Sequence, residues 1–465
     1  MGTEHGSQFQ QGTFPWGAEV KPRGPSARAE LPVARPPTES PRFGETLMEE
    51  VCERHNRQAA LKQVRANPGS PGSEGRRVHE LPAFLKTHWP ALNEQLLYGT
   101  YHPQGMRRVE LPKPGGQGSR KVGIPGVVDR VIQQALLQVL QRQWDSTFAD
   151  SSSGFRPGRS AHPAVAQAQA DLEQGYSTVV DIDLEKFFAR VCPDRLLSPR
   201  ARQIADKRVL KLIRACLQAG RLANGLVTTP REGTPQGSPL SPFLSNVVLD
   251  ELAKALETRG LRVCRYGDAC HISVRSVRAG TRVMASLSRF STQRLKLKVN
   301  PKKSAVDRPQ PRSFLGFSFT GGQAPTRRKI APQALARGKA RVKELTRRSH
   351  GRSLAHVLTT LSGYLRGGRR YFGCGQTPAV LRDLDRWIRH RLRRLQGKQW
   401  KAYRRRKAEL TTRGINPELA HTTALSAKGP WRRSHTPGGR RALNNQFFEQ
   451  LGLIRLRATP NIELC

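Results

Sequence analysis

The clearest periodic stretch of the chain is Asp129–Trp144. There Ile132, Leu136, Val139, Leu140 and Trp144 recur at helical spacing and make one apolar face. Lys207–Ala219 repeats the pattern, with Val209, Leu210, Ile213, Cys216 and Leu217 on one side, and Glu45–Val64 predicts a further helix. The period changes at Tyr176–Leu184, where the run STVVDIDL predicts a buried strand that ends in carboxylates. Leu261–Tyr266 and Cys270–Val274 predict two short strands, a hairpin joined by Gly267, Asp268 and Ala269. Arg107–Pro112 reads as a strand followed by a KPGGQG turn, and NPGSPGSEG from Asn67 to Gly75 as a loop. Beyond residue 322 the apolar stripes continue, but arginine fills the positions between them. Leu384, Trp387, Ile388, Leu392 and Leu395 keep helical spacing, while Asp385–Lys407 carries eleven Lys and Arg against one acid. That pattern predicts a folded helix with a basic outer face. Residues 1–45 are rich in Pro, Gly and polar side chains without periodicity, and read as a disordered leader.

Charge narrows the class of partner. The 465 residues hold 80 Lys+Arg against 35 Asp+Glu, a formal net charge of +45. A chain this basic needs a polyanion, and nucleic acid fits better than a membrane surface, since no segment reads as a basic amphipathic anchor. No apolar run reaches the roughly 18 residues needed to span a bilayer. The seven cysteines are scattered and never spaced as CxxC, which argues against a zinc centre or a disulfide framework and fits a reducing cytoplasm.

Two carboxylate positions carry candidate chemistry. Asp183 ends the STVVDIDL strand, with Asp181 on the same face because strand side chains alternate. Asp268 lies at the hairpin tip. Acids at a strand end and at a neighbouring hairpin tip can converge on hard divalent cations such as Mg²⁺, which keep water and phosphate oxygens in their remaining positions. Two such ions about 4 Å apart activate a 3′-hydroxyl and neutralise a leaving pyrophosphate.

The words around these acids carry a resemblance. In order the chain has Lys121–Gln134 (KVGIPGVVDRVIQQ), Gly154–His162 (GFRPGRSAH), Asp181–Phe188 (DIDLEKFF), Gly233–Pro242 (GTPQGSPLSP), Arg265–Asp268 (RYGD), Leu295–Ser304 (LKLKVNPKKS) and Phe314–Phe319 (FLGFSF). This series resembles bacterial group II intron reverse transcriptases from about residue 46 to 455. Gly363–Leu365, Tyr371–Phe372, Leu384–Ile388, Lys398–Lys401 and Arg441–Asn445 resemble the maturase-specific region of the same family. No HNH nuclease is expected, because zinc-type clusters are missing.

The resemblance implies an α+β right-hand polymerase with fingers, palm and thumb, an antiparallel palm sheet, and a basic helical maturase region behind it. It divides the chain into fingers and palm over 46–320, a thumb or maturase-specific helical region over 321–375, and a basic nucleic-acid-binding region over 376–465. It makes Asp183 and Asp268 the catalytic metal ligands, with the main-chain carbonyl of Leu184 beside them, for two Mg²⁺ ions or Mn²⁺ in their place. Arg120 and Arg159 would hold the incoming triphosphate, for which the planar guanidinium suits bidentate binding. Phe188 would favour deoxynucleotides, Gln236 and Gly237 would lie under nucleotide and template, and Tyr266, Lys302 and Lys303 would border the primer. Arg389, Arg391, Arg393, Arg394, Lys398, Lys401, Arg404 and Arg405 are the RNA-facing candidates. The implied partners are a group II intron RNA, an RNA template with a DNA primer, deoxynucleoside triphosphates and a DNA target, with no membrane involved.

Two departures qualify the resemblance. The family hairpin ends Tyr-Ala-Asp-Asp, whereas here it reads Tyr266-Gly267-Asp268-Ala269, so the second carboxylate is replaced and glycine is expected to loosen the tip. After the strand, Ala189, Cys192 and Pro193 stand where the family has Asp, Asn and His. Two expectations follow: an RNA-directed DNA polymerase with maturase function, or a maturase and RNA-binding splicing cofactor whose polymerase is impaired.

Overall fold

The computed structural model describes residues 44–67, 69–112, 119–185, 187, 204–223, 226–228, 237–321, 325–347, 351–427 and 429–457. The predicted leader lies outside these residues except for its last two positions. Where the pattern predicts one helix over 45–64, the chain forms two, α1 (Leu47–Cys52) and α2 (Arg54–Ala66). Glu53 breaks them with an extended backbone, φ −51° and ψ 139°, which interrupts the helical hydrogen-bond ladder. After α3 (Leu81–Leu97), β1 (Met106–Pro112) and β2 (Ser119–Ile124) form an antiparallel hairpin with Arg107 opposite Ile124.

Helix α4 (Val127–Trp144) buries the face expected of it: Ile132, Leu136, Val139, Leu140 and Trp144 are all buried. Burial of side chains this size stabilises by about 1.5–3 kcal/mol each. α5 (Ala161–Glu173) leads into β3 (Thr178–Ile182). α6 (Lys207–Gln218) buries Val209, Ile213, Cys216 and Leu217, and Asp206 caps its start by accepting from Arg208 N. The short strands β4 (Arg221–Ala223) and β5 (Leu226–Thr228) extend the first hairpin into a mixed sheet ordered β2-β1-β4-β5.

α7 (Ser241–Glu257) precedes the predicted hairpin, β6 (Arg262–Tyr266) and β7 (Ala269–Val274), and α8 (Val277–Gln293) follows it. With β8 (Ala305–Asp307) these strands form the central sheet, ordered β6-β7-β3-β8 and antiparallel throughout, as expected for the palm. The hairpin loop has two residues, Gly267 and Asp268, because Ala269 already pairs with Tyr266. α8 lies against one face of the sheet, and a Cβ on Gly280 would come within 2.5 Å of Val306 and 3.3 Å of Val180.

The remaining elements build a second core and part of a smaller cluster beside it. They are β9 (Phe317–Phe319), β10 (Arg328–Ile330), α9 (Pro332–Leu345), α10 (Leu354–Phe372), α11 (Pro378–Gln399), α12 (Tyr403–Thr412), α13 (Pro417–Leu425), α14 (Pro430–Arg433), α15 (Pro437–Ala442) and α16 (Asn445–Gln450). Pro332, Pro378, Pro417, Pro430 and Pro437 sit in the first turn of their helices, where the missing N–H costs nothing and φ is preset. One core gathers apolar side chains from Leu47 to Leu297, the other from Ile330 to Leu456. Between them a smaller cluster joins Ala164, Val165 and Ala168 of α5 to Cys264, Phe314, Phe317 and Cys374.

Candidate active site

β3 and β7 pair antiparallel from Thr178 opposite Val274 to Ile182 opposite Cys270. Carrying that register one step further sets Asp183 level with Ala269, beside the turn that holds Asp268. The two predicted acids thus emerge at the same end of neighbouring strands. Gly267 takes φ +64°, a conformation that glycine adopts without penalty and that suits a two-residue hairpin loop with glycine first. A Cβ there would lie 2.9 Å from the Phe155 ring. Glycine is therefore the residue the tip requires, and the expected loosening does not follow.

The segment Leu295–Ser304 secures the backbone of Asp183. Asn300 N donates to Asp183 O at 2.8 Å, and Asp183 N donates to Ser304 Oγ at 3.0 Å. Asn300 Nδ2 donates to Asp183 Oδ1 at 3.2 Å, and the Lys303 ammonium lies 3.1 Å from Oδ2. Glu185 N donates to Lys298 O at 2.8 Å, so Leu184 and Val299 form a bridge. In that pattern the peptide groups of Leu184 turn away from Val299, toward the side where β7 lies. Lys302 is exposed, and its N–H is held by Asn300 Oδ1 at 3.1 Å.

Asp181 shares the strand face of Asp183 but is already committed. It accepts from Arg312 Nε at 2.6 Å, and its Oδ1 lies 2.8 Å from His271 Nδ1. Burial pushes its carboxyl up, but the hydrogen bonds and charges of His271 and Arg312 outweigh that and hold it below the ordinary value. His271 itself is buried and stacks on Phe314 with ring centres 4.6 Å apart. No spacing rule signals these partners, since Arg312 lies far along the chain from Asp181.

Behind the tip sits Arg265, only 1% exposed. Its Nη1 donates to Gly267 O at 3.1 Å and to Asn246 Oδ1 at 3.0 Å, and its Nη2 donates to Ser152 Oγ. Asn246 in turn donates to Gly154 O at 2.7 Å. Gly154 has no room for a side chain, since a Cβ would fall 2.3 Å from Gly267 N. The GFRPGRSAH word is thereby fixed against the hairpin. Sequence reasoning passed over Arg265, although it opens the RYGD word.

Of the other predicted residues, Arg159 folds back on Asp150, donating to its carbonyl at 2.6 Å and to Oδ1 at 3.2 Å. Its neighbour Arg156 is the structural arginine, buried against Asp145 at 2.9 Å. Gly237 has φ +115°, and a Cβ there would meet Gly123 O at 2.6 Å, so this position accepts only glycine without strain. Arg120, in β2, pairs through its backbone with Leu111 of β1; its side chain, Phe188, Gln236, Ala189, Cys192 and Pro193 lie outside the described residues. Tyr266 is half-buried, 6.1 Å from Phe155 between ring centres.

The basic C-terminal face needs correction. Arg391 and Arg393 are buried, each 8% exposed. Arg391 donates to Thr346 Oγ1 at 2.7 Å and to Lys343 O at 3.2 Å, and Arg393 to Leu443 O at 2.8 Å. α11 is covered on more than its leucine stripe, because α14 packs on it as well as α10. Lys398, Lys401, Arg404 and Arg405 are exposed, with Arg389 and Arg394 half-buried. Among the described residues, no three His, Cys, Asp or Glu cluster as a metal site of their own, and no helix is long and apolar enough to cross a membrane.

Residues 111–319 match the family described as reverse transcriptase (RNA-dependent DNA polymerase), and residues 335–414 match the group II intron maturase-specific domain. Protein YkfC of Escherichia coli K12 is 36% identical over 41% of this chain and 51% of its own length. The group II intron-encoded protein LtrA of Lactococcus lactis is 35% identical over 35% of this chain and 27% of its own. The chain thus spans about half the length, or less, of the curated relatives it matches. Among solved structures, a partial Cas6-RT-Cas1–Cas2 complex is similar at 22% identity and a TM-score of 0.34, over 53% of this chain and 42% of that one.

Proposed function

Since the chain joins a reverse transcriptase domain to a group II intron maturase-specific domain, we propose that it is an RNA-directed DNA polymerase and intron maturase that acts with a group II intron RNA. The observation that carries this reading is the register of β3 and β7, which sets Asp183 beside the turn bearing Asp268. Asp183, the Leu184 carbonyl and Asp268 form an all-oxygen donor set suited to Mg²⁺, whose remaining positions substrate phosphates and water would fill. The metal supplies charge neutralisation and a more acidic 3′-hydroxyl. The chain's own part is positional. Asn300 and Ser304 hold Asp183, Gly267 shapes the tip, and Arg265 anchors it from behind. Arg120 and Arg159 are assigned to the triphosphate, which requires Arg159 to leave Asp150, and Phe188, Gln236, Gly237, Tyr266, Lys302 and Lys303 to nucleotide, template and primer. We assign 46–320 to fingers and palm, 321–375 to the thumb, and 376–465 to RNA and DNA binding, in a cytoplasmic ribonucleoprotein.

Primer extension on an RNA template with Mg²⁺ tests the proposal. Extension by the wild type that disappears in Asp183→Asn is the expected result; extension that persists in Asp183→Asn would overturn it. A second reading, a maturase with an impaired polymerase, is favoured by Ala269, which puts a methyl group level with Asp183. Splicing assistance without extension, unchanged in Asp183→Asn, selects that reading.

A further inference from the structure

Helix α8 carries Arg278, Arg282 and Arg289. At about 100° and 1.5 Å per residue they fall within about 40° of arc and along about 17 Å of the helix axis. All three are exposed, with only Thr281 and Ala285 between them on that face. Among the described residues none of the three is ion-paired, whereas Arg294, just past the helix, is held by Glu251. Arg259, just past α7, donates to Ser286 Oγ at 2.9 Å and adds a guanidinium beside the stripe. The chain holds no Asp or Glu between Asp268 and Asp307, an interval with nine Lys and Arg, so no acid of the helix answers these charges. Asp307 lies opposite Val179 and thus on the other face of the sheet.

A solvated helix face mixes charges of both signs. Here Arg278 and Arg282 repel each other one turn apart, at the end of the helix whose dipole also repels cations, and the first turn has no acid. The arrangement opposes the stability of the helix itself and is relieved when a polyanion lies along it. The stripe also looks away from the polymerase site. α8 packs on Val180, Val274 and Val306, whereas Asp181 and Asp183 belong to the alternate face of the strand. The sheet therefore separates the stripe from the acids assigned to the metal. No aromatic side chain is exposed on α8, so unpaired bases find nothing to stack on. A base-paired helix, which offers phosphates and shape, fits this face. We propose that Arg278, Arg282 and Arg289 form a docking surface for the phosphate backbone of an RNA double helix, a second nucleic-acid site on the reverse of the central sheet. The choice of RNA over DNA rests on the proposed intron RNA partner.

The test is filter binding of a fully paired RNA hairpin to the full chain over a salt series, alone and with an RNA template and DNA primer already bound. In Arg282→Gln/Arg289→Gln the hairpin is expected to lose about tenfold in affinity, and the slope of log affinity against log salt to fall by about two, under both conditions. Primer extension should stay at the wild-type rate, and the variant should melt no lower than the wild type, because it removes repulsion. Lys207→Gln/Lys211→Gln, at two exposed positions of α6, removes the same charge and should leave hairpin binding near wild type. Equal losses in the two pairs, displacement of the hairpin by primer and template, or a lower melting temperature in the arginine pair would overturn the proposal. A DNA hairpin that loses as much affinity as the RNA one would overturn the choice of RNA. Because binding is also read without primer and template, failure of the polymerase reading leaves this result standing.

Discussion

The Lys303 ammonium sits 3.1 Å from Asp183 Oδ2, inside the site assigned to the metal. Both groups are partly solvated, so the pair contributes at most about 1 kcal/mol. It nonetheless competes with a cation for the same oxygen. Lys303→Gln is expected to lower the Mg²⁺ concentration for half-maximal primer extension by about twofold to fivefold, while weakening primer binding. A Mg²⁺ titration that is unchanged, or shifted upward, would show that the lysine does not contest the metal.

Ala269 occupies the first position of β7 and stays partly exposed, so it accepts a carboxylate without repacking the core. Because it is level with Asp183, Ala269→Asp adds an oxygen donor at the site. Extension should become faster by about tenfold or more, with a lower Mg²⁺ requirement and unchanged affinity for RNA. A variant no faster than the wild type would mean that the tip is held out of reach of the metal.

Arg265 binds no substrate in this assignment; it positions the tip through Gly267 O, Asn246 and Ser152. Arg265→Met leaves those acceptors without a donor in a buried place, at a cost of about 3 kcal/mol. It should reduce kcat by about tenfold to a hundredfold, leaving KM for nucleotide and RNA affinity near wild type, with Arg265→Lys intermediate. A parallel rise in KM and fall in RNA affinity would reveal general unfolding instead.

The strand ending in Asp183 and the hairpin bearing Asp268 were legible because alternation and turn residues are local signals, and their pairing follows once the strands join one sheet. The commitment of Asp181 was not legible, since His271 reaches it across the sheet and Arg312 from a later loop. Charge runs misled for a different reason. Helical spacing identifies the leucine stripe of α11, yet a helix packed on several sides also buries residues flanking that stripe, which is how Arg391 and Arg393 turn inward. The break at Glu53 left no mark in hydrophobic periodicity because the apolar positions resume in α2.

His390 stacks on His435 with ring centres 3.8 Å apart and is buried beside Arg393. Burial first, then His435 and Arg393, lower its pKa to about 4. In the unfolded chain it titrates near 6.5. Between those values the unfolded state binds more protons, so stability is complete above about pH 6.5 and is lost as the pH falls toward 4, by at most about 3 kcal/mol. His390→Gln should flatten the fall in melting temperature between pH 7 and pH 5; an equally steep fall would place the acid sensitivity elsewhere.

The correction on α11 separates two kinds of arginine. Lys398, Lys401, Arg404 and Arg405 face solvent, so each phosphate they contact releases counterions when RNA binds. Neutralising Lys401 and Arg404 together should weaken RNA binding and reduce the slope of log affinity against log salt by about two. Arg391→Met should instead lower stability, because Thr346 Oγ1 and the Lys343 carbonyl lose their donor, and leave the salt slope unchanged. Filter binding over a salt series, set beside unfolding curves, measures both effects. A salt slope that drops for Arg391→Met but not for the Lys401 and Arg404 pair would put the RNA on a different face.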